Sequence, residues 1–305
     1  MHITDGIQPD DALDTCYGGA YLAPMPAPIR VPNPAPRTAD DVRSMEPIRH
    51  GAYLCLSAAH RGRRIAAEVS ALAERLELLN EAEPGDDHPP LAIGLLRRVD
   101  ATPPPRAIDT ADDALLATLA IVHVAAPSPG PVQALCAELT RLVAPAAPPR
   151  ILGGVVRPMT YTGAAMFNFA YAHRVLQQPA RVAPHAFFVP LTKTAAWWQK
   201  DWMERHTYFL PRYADGRMVS QGHALASAAG VASLMRRTYK HPTEPAPPGT
   251  YDFLTYFECA DAGVPVFHEV CAALRDEARN PEWAFVREGP TWHGRRVASW
   301  DELFE

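Results

Sequence analysis

His223 and Arg236 are the two residues whose types and spacing most readily do chemistry. His223 sits in Gly222-His223-Ala224-Leu225-Ala226, a small-residue stretch of helical composition, and Arg236 follows thirteen residues later in the strand-like run Val231 to Tyr239. The chain must reverse between them. An imidazole presented from a helix and a guanidinium presented from a sheet can then face one pocket and hold a planar ligand from opposite sides. The Ala, Gly and Ser neighbours of His223 are small enough for a large flat group to approach closely. Composition equally allows a plainer pair: a helix histidine near a C-terminus, where its charge suits the dipole, and a solvated strand arginine. Strand alternation sends Arg236 and Arg237 to opposite faces, so only one of them can enter a pocket.

Trp197-Trp198 could stack on or hydrogen-bond a ligand edge, although an aromatic pair opening a helix is equally core material. Tyr161 ends the run Arg157-Pro158-Met159-Thr160-Tyr161 and falls near the junction of the two halves, where it could bind a carboxylate or simply pack. Other chemistries lack an anchor. The histidines form no HExxH or paired Cys/His zinc pattern, Gly153-Gly154 lies within a strand, and neither a phosphate loop nor a GxSxG elbow occurs.

The elements that must position these residues repeat once. An apolar strand Gly51 to Ser57 precedes a helix Arg61 to Asn80, in which Ile65, Val69, Leu72, Leu76 and Leu79 recur at three and four residue steps. Strands Leu91 to Val99 and Ala114 to Ala125, a helix from Pro127 to Leu142 and a strand Arg150 to Tyr161 complete the order βαββαβ. The second half predicts a strand His185 to Leu191 and interrupted helix over Ala195 to Ala229, with a turn at Ala214-Asp215-Gly216 and Gly230 as terminator. Strands Val231 to Tyr239 and Tyr251 to Glu258, a helix Val266 to Arg279 and a last strand Trp283 to Glu288 follow. Two ferredoxin-like βαββαβ domains packed as an α+β barrel-like pair, with a pocket between a sheet and its helices, are the expected architecture. The expected boundaries are an arm over 1–47, one domain over 48–182 and a second over 183–305.

With 305 residues, 48% of them hydrophobic and 21% charged, the chain can bury a full core, and a net charge of −5 lacks the basic footprint of a nucleic-acid binder. No apolar run approaches the length of a membrane span. Proline is in excess at 32 residues. The cluster before residue 40 favours an extended arm, and the later prolines punctuate the repeat. Five scattered cysteines, Cys16, Cys55, Cys136, Cys259 and Cys271, encode no disulfide framework, and no secretory signal is visible, so a cytoplasmic protein is expected.

Several segments together resemble the chlorite dismutase family of haem proteins. They are Pro184-His185-Ala186-Phe187-Phe188-Val189-Pro190, Ala196-Trp197-Trp198, His223 with Arg236, and Tyr251-Asp252-Phe253-Leu254-Thr255-Tyr256-Phe257-Glu258. Gly154 to Tyr161 and Val286-Arg287-Glu288-Gly289-Pro290 extend the resemblance over roughly residues 48 to 298, leaving the Pro-rich arm unmatched. The resemblance implies a pair of ferredoxin-like domains with haem b in the C-terminal one. It implies His223 as proximal iron ligand, Arg236 as the flexible distal arginine, Trp197 and Trp198 near the haem, and Tyr161 near a propionate. It further implies a homo-oligomer and a small anionic substrate, chlorite, converted to chloride and dioxygen. The related coproheme decarboxylases lack the distal arginine, which ranks that activity second. A ferredoxin-like binding or assembly protein without haem is the reading from another class. In two places the chain departs from the family. Between Trp198 and His223 it carries extra residues, including His206, and the position matching the family's proximal glutamate is Arg279, leaving Glu277 or Glu282 to serve the imidazole.

Overall fold

The computed structural model describes residues 49–61, 92–103, 113–156, 183–230 and 233–304. The Pro-rich segment, the expected helix from residue 62 on, and Tyr161 lie outside the described residues. Eleven strands are described: β1 Arg49–Leu56, β2 Ala92–Thr102, β3 Ala120–Ala126, β4 Arg150–Val156, β5 His185–Lys193, β6 Arg212–Ala214, β7 Arg217–Ser220, β8 Met235–Lys240, β9 Phe253–Cys259, β10 Val286–Glu288 and β11 Thr291–Arg296. The helices are α1 Asp113–Leu116, α2 Pro129–Val143, α3 Ala195–Trp198, α4 Trp202–Thr207, α5 Gly222–Ala226 and α6 Gly263–Arg275.

Eight of the strands close on themselves in the order β5-β11-β2-β3-β1-β4-β8-β9, and β9 pairs back to β5. Every pairing is antiparallel, so this is the α+β barrel that joins the two halves of the chain. β5 is the hub. It pairs with β9 along one edge, and along the other with β11 over His185 to Phe188 and with β10 over Leu191 to Lys193.

Strand alternation sorts side chains to the two faces. Inside the barrel, Tyr53, Phe188, Tyr239, Tyr256 and Trp292 are fully buried, each with relative exposure of 1% or less. Tyr53 stacks on His123 with ring centroids 4.6 Å apart, and the Tyr239 hydroxyl meets His123 Nε2 at 3.1 Å. Gly51 admits the Tyr239 ring: a Cβ there would lie 2.2 Å from a ring carbon. Outside the barrel, Ala52, Leu54 and Leu56 pack against α2, whose buried Val132, Leu135, Cys136, Leu139 and Val143 recur at helical spacing. On the other half, Phe267, Val270 and Cys271 of α6 cover Phe187, Val189 and Phe257. The Phe187 and Phe267 rings stack at 3.7 Å. Each such side chain contributes about 1.5–3 kcal/mol by leaving water.

The elements differ from the sequence expectation at five places. The expected strand Ala114 to Ala125 divides into α1 and β3: Arg98 donates to the Leu116 carbonyl at 2.9 Å, stopping a helical turn that an apolar run does not distinguish from a strand. Ala195 to Ala229 breaks into α3, α4, the hairpin β6–β7, α5 and a 3₁₀ turn Ala228–Gly230. The hairpin forms because Asp215 and Gly216 both adopt positive φ, 49° and 70°, at its tip. α6 begins three residues early and stops at Arg275, after which Asp276 turns the chain by accepting from the Ala278 amide at 2.9 Å. Pro281–Phe285 is a 3₁₀ helix, leaving only Val286–Glu288 as strand, since proline suits a first helical turn. Finally, β11 was not expected at all. Its pairing to β2 shifts register between His293 and Gly294, and such a bulge obscures the alternation that would mark a strand.

Candidate functional site

A cleft opens between the outer face of β8-β9-β5-β10 and the helices α5 and α6, enclosing about 650 Å³ of atom-free space including its mouth. Strand rows build one wall. Arg236 lies opposite Phe257, and Val189 opposite Thr255; Thr255 and Phe257 are two apart on β9, so all four share one face. Leu191 lies opposite Glu288 on β10. Leu234, Val270 and Leu274 make the remainder apolar, and Ser227 and Gly230 keep the helical side shallow.

His223 enters from α5, a helix too short to stand by its own propensity. Its first amides are held from outside. Gln221 and Gly222 N–H both donate to the Arg279 carbonyl at 2.9 and 3.0 Å, His223 N–H to Tyr208 O at 3.0 Å, and Ala224 N–H to Phe209 O at 3.1 Å. Gly222 makes this approach possible. Its φ is +63°, and a Cβ would sit 2.3 Å from the Leu210 carbonyl oxygen.

The imidazole Nδ1 lies 2.7 Å from Glu282 Oε2, and the other carboxylate oxygen accepts from Lys193 Nζ at 2.5 Å. Lys193 itself sits over the Trp197 ring, 4.1 Å from its centroid, and its backbone N–H donates to Asp252 Oδ2 at 2.6 Å. Glu282 and Lys193 are only 5% and 7% exposed. Burial by itself would raise the Glu282 pKa, but the Lys193 charge and then His223 overcome it and hold the carboxyl well below the usual carboxylate range. Burial likewise pushes the Lys193 ammonium down, with Glu282 opposing. For His223, burial is the largest influence and lowers the pKa, Glu282 opposes it, and the Arg236 and Lys193 charges add to the lowering. A carboxylate only accepts, so Nδ1 carries the proton, and in the neutral imidazole Nε2 keeps its lone pair.

Arg236 lines the same cleft as His223, and among the described residues its hydrogen bond runs from Nε to Thr238 Oγ1 on its own strand, at 3.1 Å. Arg237 pairs opposite Tyr256 on the barrel-interior face, so the two arginines divide as alternation requires. Trp197 is 2% exposed and packs behind the cleft under Lys193. Trp198 stacks on Phe253, the register partner of Leu191, and its indole N–H is buried with no hydrogen-bond partner. The structure thus brings His223 and Arg236 together, sets Trp197 and Trp198 one layer back, and leaves Tyr161 outside the described residues.

Of the two glutamates that could serve the imidazole, Glu282 is the one that reaches it. Arg279 contributes its backbone carbonyl to the start of α5 instead. Sequence reasoning missed Lys193. Its signal was present: Phe187, Val189 and Leu191 form the apolar face of β5, and a lysine at the next position of that face demands a buried anion. It also missed Arg275, which donates to Glu288 in the cleft wall at 2.9 and 3.1 Å.

No protein-family model matches the sequence, and no curated protein is detectably similar to it. Solved structures do match. A tryptophan-to-phenylalanine variant of chlorite dismutase from Candidatus Nitrospira defluvii, in complex with cyanide, is 18% identical with a TM-score of 0.57, over 84% of this chain and 93% of that one. The same organism's chlorite dismutase in complex with imidazole is 17% identical with a TM-score of 0.55, over the same shares. An arginine-to-alanine variant of it gives 17% and 0.54. The closed barrel with its helix-covered cleft is therefore the fold of the chlorite dismutases.

Proposed function

We propose that this chain is a haem b oxidoreductase of the chlorite dismutase type, decomposing chlorite to chloride and dioxygen. The observation that carries the reading is His223, its Nδ1 fixed on a buried anionic carboxylate and its side chain lining an apolar cleft that Arg236 also lines. The residues fit the group. Porphyrin supplies four of an iron's ligands, so one imidazole suffices, and among the described residues there is no cluster of three metal-ligating side chains. The apolar walls and small helical residues suit a flat macrocycle. When bound, haem supplies the redox-active iron at which an oxygen atom is transferred.

The chain's own residues do the rest. Glu282 keeps the proton on Nδ1 and so keeps Nε2 a donor, while Lys193 keeps Glu282 anionic despite its burial. Arg236, bonded among the described residues only within its own strand, is able to turn toward an anion, and its guanidinium attracts chlorite into the cleft. The same charge retains the hypochlorite fragment against loss to solvent, which the dry wall strengthens by lowering the local dielectric. No helix among the described residues is long and apolar enough to cross a membrane, and the four described cysteines, Cys55, Cys136, Cys259 and Cys271, are buried.

An absorbance spectrum tests the reading. Protein expressed with ample haem should show a Soret band that His223→Ala abolishes, and a colourless wild type overturns the proposal. Arg236→Ala should keep the band and lose oxygen release from chlorite; undiminished release removes Arg236 from the reaction.

A further inference from the structure

A second polar device sits in the wall of the cleft, apart from the His223 relay. Glu288 on β10 is 2% exposed and shares the cleft-facing side with its register partner Leu191. Arg275, the last residue of α6, engages it as a fork: Nε donates to Oε2 at 2.9 Å and Nη2 to Oε1 at 3.1 Å, with Nη2 also donating to Thr291 Oγ1 at 3.0 Å. Both carboxylate oxygens are occupied, and the pair spans from helix to sheet. It closes that end of the cleft. Around it the wall is apolar, with Leu191, Val270 and Leu274.

The charge balance of this end differs from that of the other. Arg236 stands on β8, three strand positions from the Glu288 strand β10 in the order β8-β9-β5-β10, so about 14 Å of sheet separates those two strands. At the Arg236 end the guanidinium has no carboxylate partner among the described residues. At the Glu288 end the guanidinium is already matched, one charge to one. A carboxylate brought to that end would leave water without gaining a cation and would lie beside a buried anion, which is unfavourable. An alkyl or vinyl substituent would meet Leu191, Val270 and Leu274 at no such cost.

We propose that the Arg275–Glu288 pair reads the periphery of the macrocycle, keeping carboxylate substituents out of the end of the cleft between α6 and β10. The pair thereby selects a dicarboxylate porphyrin over a tetracarboxylate one. This inference rests on the porphyrin reading of the cleft, and assigns the residues that enforce its choice of porphyrin.

Metal-free porphyrins test it without involving ligation by His223. Apoprotein is titrated with protoporphyrin IX and with coproporphyrin III, followed by quenching of tryptophan emission, since Trp283 lines the cleft. The wild type should bind the dicarboxylate about 10-fold tighter or more. Glu288→Gln, which keeps the shape and leaves Arg275 a free cation, should tighten coproporphyrin III about 10-fold and leave protoporphyrin IX nearly unchanged. If that variant fails to fold, the wild type is titrated with methyl-esterified coproporphyrin, whose charges are removed; the discrimination against the tetracarboxylate skeleton should then largely vanish. Equal affinities for the two acids in the wild type, an unaltered ratio in Glu288→Gln, or undiminished rejection of the ester overturns the inference alone. Folded wild type that binds neither porphyrin overturns the reading of the cleft itself.

Discussion

Lys193→Met removes a buried cation while keeping the length of the side chain. In the native protein the ammonium is enclosed between the Glu282 carboxylate at 2.5 Å and the face of Trp197 at 4.1 Å. Methionine preserves a contact with the ring but leaves Glu282, 5% exposed, with His223 as its sole partner. Deleting one member of a buried ion pair costs about 3–5 kcal/mol, and the remaining bond to His223 places this case near the lower bound. Urea denaturation should therefore show a loss of roughly 3 kcal/mol with an unchanged m value. Glu282→Gln strands the lysine instead, and the double variant removes both charges. If the carboxylate and ammonium act as a unit, the double variant loses no more than the worse single one. Losses that add within about 0.5 kcal/mol would refute the coupling. A second readout follows the imidazole. In Lys193→Met a charge that lowers the His223 pKa is gone, so its NMR titration should move upward, and a static titration would contradict the relay.

Other consequences are open to measurement. Gly222→Ala must place a methyl 2.3 Å from Leu210 O at positive φ, so a loss of about 2–4 kcal/mol in thermal or urea unfolding is expected, and a change in melting temperature under one degree would count against the packing described. His293, half-buried, is lowered to about 4 by burial and then by the charges of His185 and His268. Its depressed pKa contributes stability that is present above the unfolded value near 6.5 and lost as pH falls toward 4, roughly 1–2 kcal/mol after allowing for its exposure. His293→Gln should flatten that part of the acid-unfolding curve, and an identical slope would sink the assignment. Burial pushes the Cys271 thiol up to about 12, so peptide mapping after mild alkylation at pH 8 should find it unmodified in native protein and labelled in urea.

The repeat and its barrel were legible because apolar periodicity survives in the long strands and in α2 and α6. The His223 and Arg236 pairing was legible as one of two readings: a helix–reversal–strand connection can bring both to one pocket, and the resemblance to the chlorite dismutases set it above a helix histidine with a solvated strand arginine. Glu282 was harder to single out. Helical composition runs on through Asp276-Glu277-Ala278-Arg279, and only the turn set by Asp276 and the 3₁₀ start at Pro281 swing Glu282 back over α5. β11 hid behind its bulge. The chain between Trp198 and His223 carries charged and aromatic residues that fit helix and hairpin alike, and its outcome depended on two positive-φ residues at one tip.

The unequal seams of the barrel bear on how such a chain can be recombined. β11 and β2 meet over six residue pairs with a bulge, β4 and β8 over only two, and Tyr53 from the first half stacks among Phe188, Tyr239 and Tyr256 from the second. A chimera that borrows one half from another protein must reproduce both registers, the bulge and a ring-shaped gap at Gly51 simultaneously. Exchange of one half alone is therefore expected to fail, while segments such as the β6–β7 hairpin, which pairs with neither seam, should accept replacement.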